Sequence, residues 1–297
     1  MRTVKRKDKE EGVSAVIGTV MALMVFMFLF GMIQNQYVPI AMKDTEANHM
    51  TQVESQFSQM KYGIDSLILN NAVNYSMYTP MTLGSEGMPV FASQTPGYLG
   101  LLPNDEYFNV TYALRESTGT THIYSNTSGM VRMYCPNRYY VPQMYAYTAG
   151  AIILYQENGA VMKAGPNIRI SNESGDLSVF MNPVRIIGTE IIKGGTDTEG
   201  VYSSLIYTYT STSNANTSTF MSSDLWINIT TIFPDAWMEW MNSTARSAGL
   251  GPTDYSVSSQ LKDSTVFPNT YTVKINIKNV KIITISRSLV DVSLESQ

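Results

Sequence analysis

Apolar positions along the chain fall into three regimes. Residues 13–33 (VSAVIGTVMALMVFMFLFGMI) are apolar on every side, broken only by Ser14, Thr19 and small residues. A helix over this stretch spans roughly 31 Å, about one hydrocarbon core. Its fifteen large apolar side chains, at about 2 kcal/mol each, favour a dry environment by ~30 kcal/mol. Further on, Met50, Val53, Phe57, Met60, Ile64 and Leu67 recur at alternating spacings of three and four, with polar residues between them. That stripe predicts an amphipathic helix packed against the chain's own remaining domain. Pro39 should kink or reset the helix between the two parts, and Asn70-Asn71 suits its end.

From about residue 72 the period shortens. Runs rich in Val, Ile, Tyr and Thr, punctuated by Gly and Pro, predict strands over 107–114, 130–135, 151–156, 160–164, 178–181, 184–192, 201–210, 225–232 and, in two pieces, 273–290. Asn158-Gly159 predicts a tight hairpin, and residues 235–248 are the one helical interruption, opening after Pro234 with Ala236, Trp237, Trp240 and Met241 on its apolar face. The fold class expected is α+β: a long N-terminal helix, transmembrane and then amphipathic, followed by a mainly antiparallel β-sandwich-like exterior domain with one short helix. The segments are residues 1–12, 13–33, 34–71 and 72–297.

Composition narrows the function. With 44% hydrophobic and 15% charged residues the chain folds rather than remaining disordered. A net charge of -4 supplies no basic footprint, so no nucleic-acid partner is expected. Cys135 is the single cysteine, which excludes an internal disulfide and any multi-cysteine metal site. No hydrolase, zincin, phosphate-loop or EF-hand motif occurs. His49 falls on the stalk and His122 in a Thr-Gly-Thr-Thr-His loop. No catalytic residue, metal or cofactor is expected, and the acidic turns Asn104-Asp105-Glu106 and Asp197-x-Glu199 read as solvated rather than as Ca²⁺ ligands.

Residues 1–12 (MRTVKRKDKEEG) carry five basic against three acidic side chains, so the positive-inside rule keeps them cytoplasmic and sends the rest outward. The apolar stretch lacks a small-x-small site after it and a cysteine beside it, which disfavours secretory cleavage and lipidation. Cleavage ahead of the helix remains, beside an uncleaved signal-anchor. Here the residues KEEG-VSAVIGTVMALMV resemble the class III signal peptide and N-terminal segment of archaeal type IV pilins. The resemblance implies Gly12 as the last leader residue and Val13 as the mature start, with Ser14, Val16, Ile17 and Gly18 on the motif. Ala15 stands where a Pro is common, and Ile17 occupies the fifth mature position, where bacterial pilins usually carry Glu. The motif covers only about residues 12–33. It implies other pilin subunits, a prepilin peptidase, an ATP-driven pilus assembly platform and the membrane as partners.

Two surface features complete the reading. Asn-x-Ser/Thr sequons begin at Asn74, Asn109, Asn126, Asn172, Asn216, Asn228 and Asn242, all beyond the apolar segment, and suit a glycoprotein. Tyr134, Tyr139, Tyr140, Tyr145 and Tyr147 cluster among Pro136, Arg138 and Pro142, which suits half-buried strand positions and equally sugar stacking or a subunit interface. The hydroxyl-rich run 208–223 reads as a solvated loop or edge strand. The leading expectation is a structural, non-enzymatic cell-surface subunit, major or minor, of a pilus-like filament, processed after Gly12 and used in adhesion. A monomeric membrane-anchored binding protein and an archaellin-like motility subunit stay open as alternatives.

Overall fold

The computed structural model describes residues 4–116, 122–173, 175–214, 220–265 and 269–296, with side chains described from Ser14 onward outside 112–126, 213–223 and 296. Helix α1 (Val4–Met32) runs through a five-residue π-helical turn, Ile33–Tyr37, into α2 (Val38–Leu69) without leaving helical geometry. The reset expected at Pro39 takes this form. Proline cannot donate to the carbonyl four residues back, and the π turn just before it, with the Val38 N–H donating to the Ile33 carbonyl, shifts the bonding phase by one residue. The far end closes on the asparagine pair: Asn71 takes φ 47°, the Asn71 and Ala72 N–H groups donate to Ile68 and Leu67 carbonyls at 3.1 and 2.9 Å, and the helix ends in a Schellman motif.

The strands form two sheets among the described residues. The first has the order β1 (Ser76–Thr82), β11 (Thr198–Asn214), β15 (Ile282–Ser296), β8 (Asp176–Asn182) and β7 (Asn167–Glu173), with β9 (Val184–Ile187) also on β15. The second runs β13 (Tyr255–Asp263), β14 (Thr270–Ile277), β12 (Phe220–Thr231), β2 (Gly97–Glu116), β3 (His122–Cys135), β4 (Gln143–Thr148), β5 (Ala151–Gln156) and β6 (Gly159–Ala164), with β10 (Ile191–Gly195) on β2. Pairing is antiparallel except where β15 meets β8 and β9. The fold is therefore α+β, as expected.

Two cores hold it together. The α2 stripe, Met50 to Leu67, is buried to the last member against Leu99, Leu101, Val131, Met133, Tyr145 and Val201. The second core gathers α3 (Pro234–Ser247) onto the other face of the larger sheet, with Trp237 against Phe108 at 5.8 Å between rings.

Two expectations are corrected. The single strand over 184–192 is two, because Gly188 at φ 148° transfers the chain from the first sheet to the second; a Cβ there would stand 2.2 Å from the Val292 carbonyl. His122 opens β3 instead of lying in a loop. The run 208–223 bears out the edge strand of its two expected forms where it is described: residues 208–214 of β11 pair with β15 on one side only, and hydroxyls of Thr208, Thr210 and Thr212 bond to Ser286, Ser288 and Thr284 across the ladder. Its polarity is spent on cross-strand bonding.

Glu106 gives the β-domain a pH signature. It sits at φ 54° in the bulge of β2, buried, with Oε1 accepting the Ile232 N–H at 2.8 Å and Oε2 unpartnered. Burial raises its carboxyl to about 7 against 4.5 when unfolded. Below the unfolded value both states hold the proton and the contribution is complete. Between the two values only the folded state holds it, so stability falls as pH rises through that window, by about 3 kcal/mol. Denaturant midpoints at pH 5 and pH 8 should show this loss in the native chain and a much flatter profile in Glu106→Gln.

Candidate functional site

From Ser14 to Tyr37 every residue except the half-buried Gly31 is exposed; Met24 is 66% and Phe28 68% exposed. Residues 14–33 thus present a rod roughly 30 Å long whose side chains are apolar but for Ser14 and Thr19 and touch almost nothing. Thr19 does not interrupt it, because its hydroxyl donates within the helix to the Val16 and Ala15 carbonyls at 2.8 and 3.1 Å. This is the one helix among the described residues long and apolar enough to cross a membrane. Ser14, Val16, Ile17 and Gly18 lie on it, and an ideal Cβ at Gly18 would meet nothing within 4 Å. Gly12 and Val13 have helical backbone in α1, but their side chains lie outside the described residues.

Where the rod meets the domain, polar contacts fix its direction. Glu46 is fully buried. Its Oε1 accepts the Thr95 hydroxyl at 2.8 Å and the Arg138 N–H at 3.0 Å, while Oε2 accepts the Tyr139 and Tyr140 N–H groups, both at 2.7 Å. The loop between Pro136 and Pro142 cannot bond in a ladder, so the carboxylate takes its amides. One turn on, His49 Nε2 lies 2.9 Å from the Thr82 carbonyl, an acceptor only, which places the ring proton on Nε2. Burial lowers its pKa and keeps the ring neutral. Gln56 accepts the Thr82 N–H and donates to its hydroxyl, Tyr145 donates to Glu54 at 2.8 Å, and Lys61 donates to the Gly150 carbonyl at 2.7 Å.

A loop of the domain also reaches the rod. The ring of Phe91 lies 5.8 Å from that of Phe30, at the outer end of the apolar segment. The turn Met88-Pro89-Val90-Phe91 closes with the Phe91 N–H on the Met88 carbonyl at 3.1 Å. Val90 occupies its third position at φ 71° and is 96% exposed, where a type II turn calls for glycine. Val90→Gly should raise the unfolding free energy by about 1 kcal/mol, read from denaturant midpoints, because relief of left-handed strain outweighs the extra freedom of the unfolded chain.

No family model, curated protein or solved structure matches this chain. The residues themselves carry the reading.

The five clustered tyrosines do not share a surface. Tyr145 and Tyr147 are buried in the α2 core, which corrects the expectation that they meet a sugar or partner from solvent; burial pushes both phenols upward in pKa, reinforced at Tyr145 by its bond to Glu54. Tyr139 and Tyr140 ride on the loop held by Glu46. Tyr134 alone points from the opposite face of β3, 42% exposed. Cys135 is buried and its thiol is pushed up to about 12 by desolvation, leaving it unreactive. Of the acidic turns, Glu106 is buried and Glu199 pairs with Lys193 at 2.7 Å; among the described residues no three His, Cys, Asp or Glu gather in metal-binding range.

Among the sequons, Asn74 and Asn172 are exposed and Asn109, Asn228 and Asn242 half-buried. Asn216 and the side chain of Asn126 lie outside the described residues. Asn228 and Asn109 are register partners on β12 and β2, so their Cβ atoms stand about 5 Å apart. A glycan on one blocks the other. Glycopeptide mapping should find at most one of these two occupied on any single chain, and both occupied on one chain would contradict the register.

Proposed function

We propose that the chain is a pilin-like structural subunit of a cell-surface filament. The observation that carries this reading is the exposed apolar rod of residues 14–33, seated through α2 on a β-rich domain. In the membrane the rod's ~30 kcal/mol preference for a dry setting is met by lipid. In a filament the same preference is met by rods of other copies, so moving between the two leaves the helix dry throughout. A fixed angle between rod and domain is what regular packing of many copies requires, and the Glu46, His49 and Gln56 contacts supply it.

The resemblance of residues 12–33 to archaeal type IV pilins supplies the order of events. A prepilin peptidase removes residues 1–12, which takes away the charged leader that would have to enter a helix bundle. An ATP-driven platform then lifts the subunit out of the bilayer. The β-domain ends up on the outside of the filament, where adhesion and glycosylation would occur.

The test is the intact mass and N-terminal sequence of the protein isolated from its own cells. A chain beginning at Val13 supports the proposal; a chain still carrying Arg2 to Gly12 overturns it in favour of a membrane-anchored exterior protein.

A further inference from the structure

On the face of the larger sheet that turns away from α2, one cross-strand row reads Tyr98, Tyr134, Met144, Tyr155 on β2, β3, β4 and β5. The next row begins Ile192, Gly100, Arg132 on β10, β2 and β3. Gly100 leaves a hollow between its neighbours, and these residues line an open cleft of about 660 Å³, within the range of small-ligand sites. The Tyr98 ring lies directly on Gly194, where a Cβ would stand 2.8 Å from it, so the glycine lets the ring lie close over β10.

The polar groups of the cleft lack partners. Arg132 is half-buried and makes no hydrogen bond or ion pair among the described residues. Gln143 is only 5% exposed, lines the cleft, and its amide has no protein partner either. Its amide is left to water or to whatever else fills the cleft. Glu157, exposed on the β5–β6 hairpin, stands at the rim. One cation, one anion, an amide and phenol hydroxyls around flat apolar rings form a mixed donor and acceptor set with no net charge.

We propose that this cleft binds a neutral saccharide. Tyr98, Tyr134 and Tyr155 offer rings to the apolar faces of sugar rings, with hydroxyl tips still free to bond. Arg132 donates to sugar oxygens, Glu157 accepts from sugar hydroxyls, and the Gln143 amide does both. Cancellation of charge between Arg132 and Glu157 disfavours an acidic sugar, whose carboxylate would gain the arginine and meet the glutamate. The cleft adjoins the 136–142 loop that Glu46 holds, and its proposed ligand does not depend on the filament reading.

The experiment is saturation-transfer NMR on the full chain in micelles of a detergent without a sugar headgroup, with cellotriose, chitotriose and mannotriose as neutral probes and trigalacturonate as the acidic one. At least one neutral probe should receive saturation, and Tyr134→Ala and Arg132→Leu should each lower that transfer at least tenfold while leaving the melting temperature unchanged. Should either variant melt early, Tyr134→Phe and Arg132→Lys take its place, with the same loss expected for the lysine and a smaller one for the phenylalanine. Transfer to none of the neutral probes, transfer that survives both substitutions, or a preference for trigalacturonate would each overturn the proposal. None of these results bears on where the mature chain begins, so the two readings stand or fall separately.

Discussion

Replacing Glu46 with alanine should cost the folded chain about 4 kcal/mol, the largest single loss expected outside the apolar cores. The carboxylate is buried and takes four hydrogen bonds, three of them from consecutive backbone amides of residues 138–140. Alanine leaves those amides and the Thr95 hydroxyl without acceptors in a space water reaches poorly. Glu46→Gln should cost roughly half as much, because one amide oxygen can still accept from Thr95 and Arg138 while its NH2 faces the Tyr139 and Tyr140 donors. Denaturant midpoints of the full chain in micelles measure both. A cost below about 1 kcal/mol for the alanine variant would mean that the loop is held by something other than this carboxylate. The consequence for function follows from position: Glu46 lies nine residues beyond Tyr37, where the exposed stretch ends, so a loosened loop also loosens the rod's angle.

The second large effect is expected where the isolated fold would not notice a change. Met24 is 66% exposed near the middle of the rod and contributes nothing to either core. Met24→Asp should therefore leave the melting of the β-domain unchanged. At the centre of a lipid-embedded helix the carboxylate costs about 3 kcal/mol, and in a dry bundle of rods an unpaired charge costs several kcal/mol in every copy. Surface fibres containing the chain should be lost altogether, judged by electron microscopy of cells expressing the variant. Leu69→Asp, at the other end of the helix and 86% exposed, is the control and should leave fibres intact. Normal fibres from Met24→Asp would place the rod in water or at a lipid surface rather than in a core.

These two residues mark what a sequence can disclose. Met24 sits in a pattern read directly, since an uninterrupted apolar run and a three-and-four stripe each have one helical interpretation. The stripe's burial against the domain followed from the same spacing. Glu46 gives no such sign: its amide partners lie 92 to 94 positions away, and nothing local distinguishes it from the exposed acids of the stalk. Strands were legible where β-branched residues alternate between Gly and Pro signals, as in β5 and β6. They were hidden where a rule was broken. β1 contains Pro80, β4 is buried on both faces so that alternation vanishes, and β13 is an exposed edge strand rich in serine.

The tyrosines show how register decides a site. Tyr134 pairs with Met144, so Tyr145 and Tyr147 face the core beneath α2 while Tyr134 faces the cleft. Closeness in sequence put the five together, and the two-residue period of strands separated them. The tyrosines that do share a surface, Tyr98, Tyr134 and Tyr155, come from three strands and meet only through pairing.

The exchange of lipid for neighbouring rods is tested most directly by shearing cells, sedimenting the released material and probing it for this chain. The chain should pellet with fibres free of membrane lipid. Recovery of the chain only in the membrane fraction, with no fibre-bound copies, would contradict it.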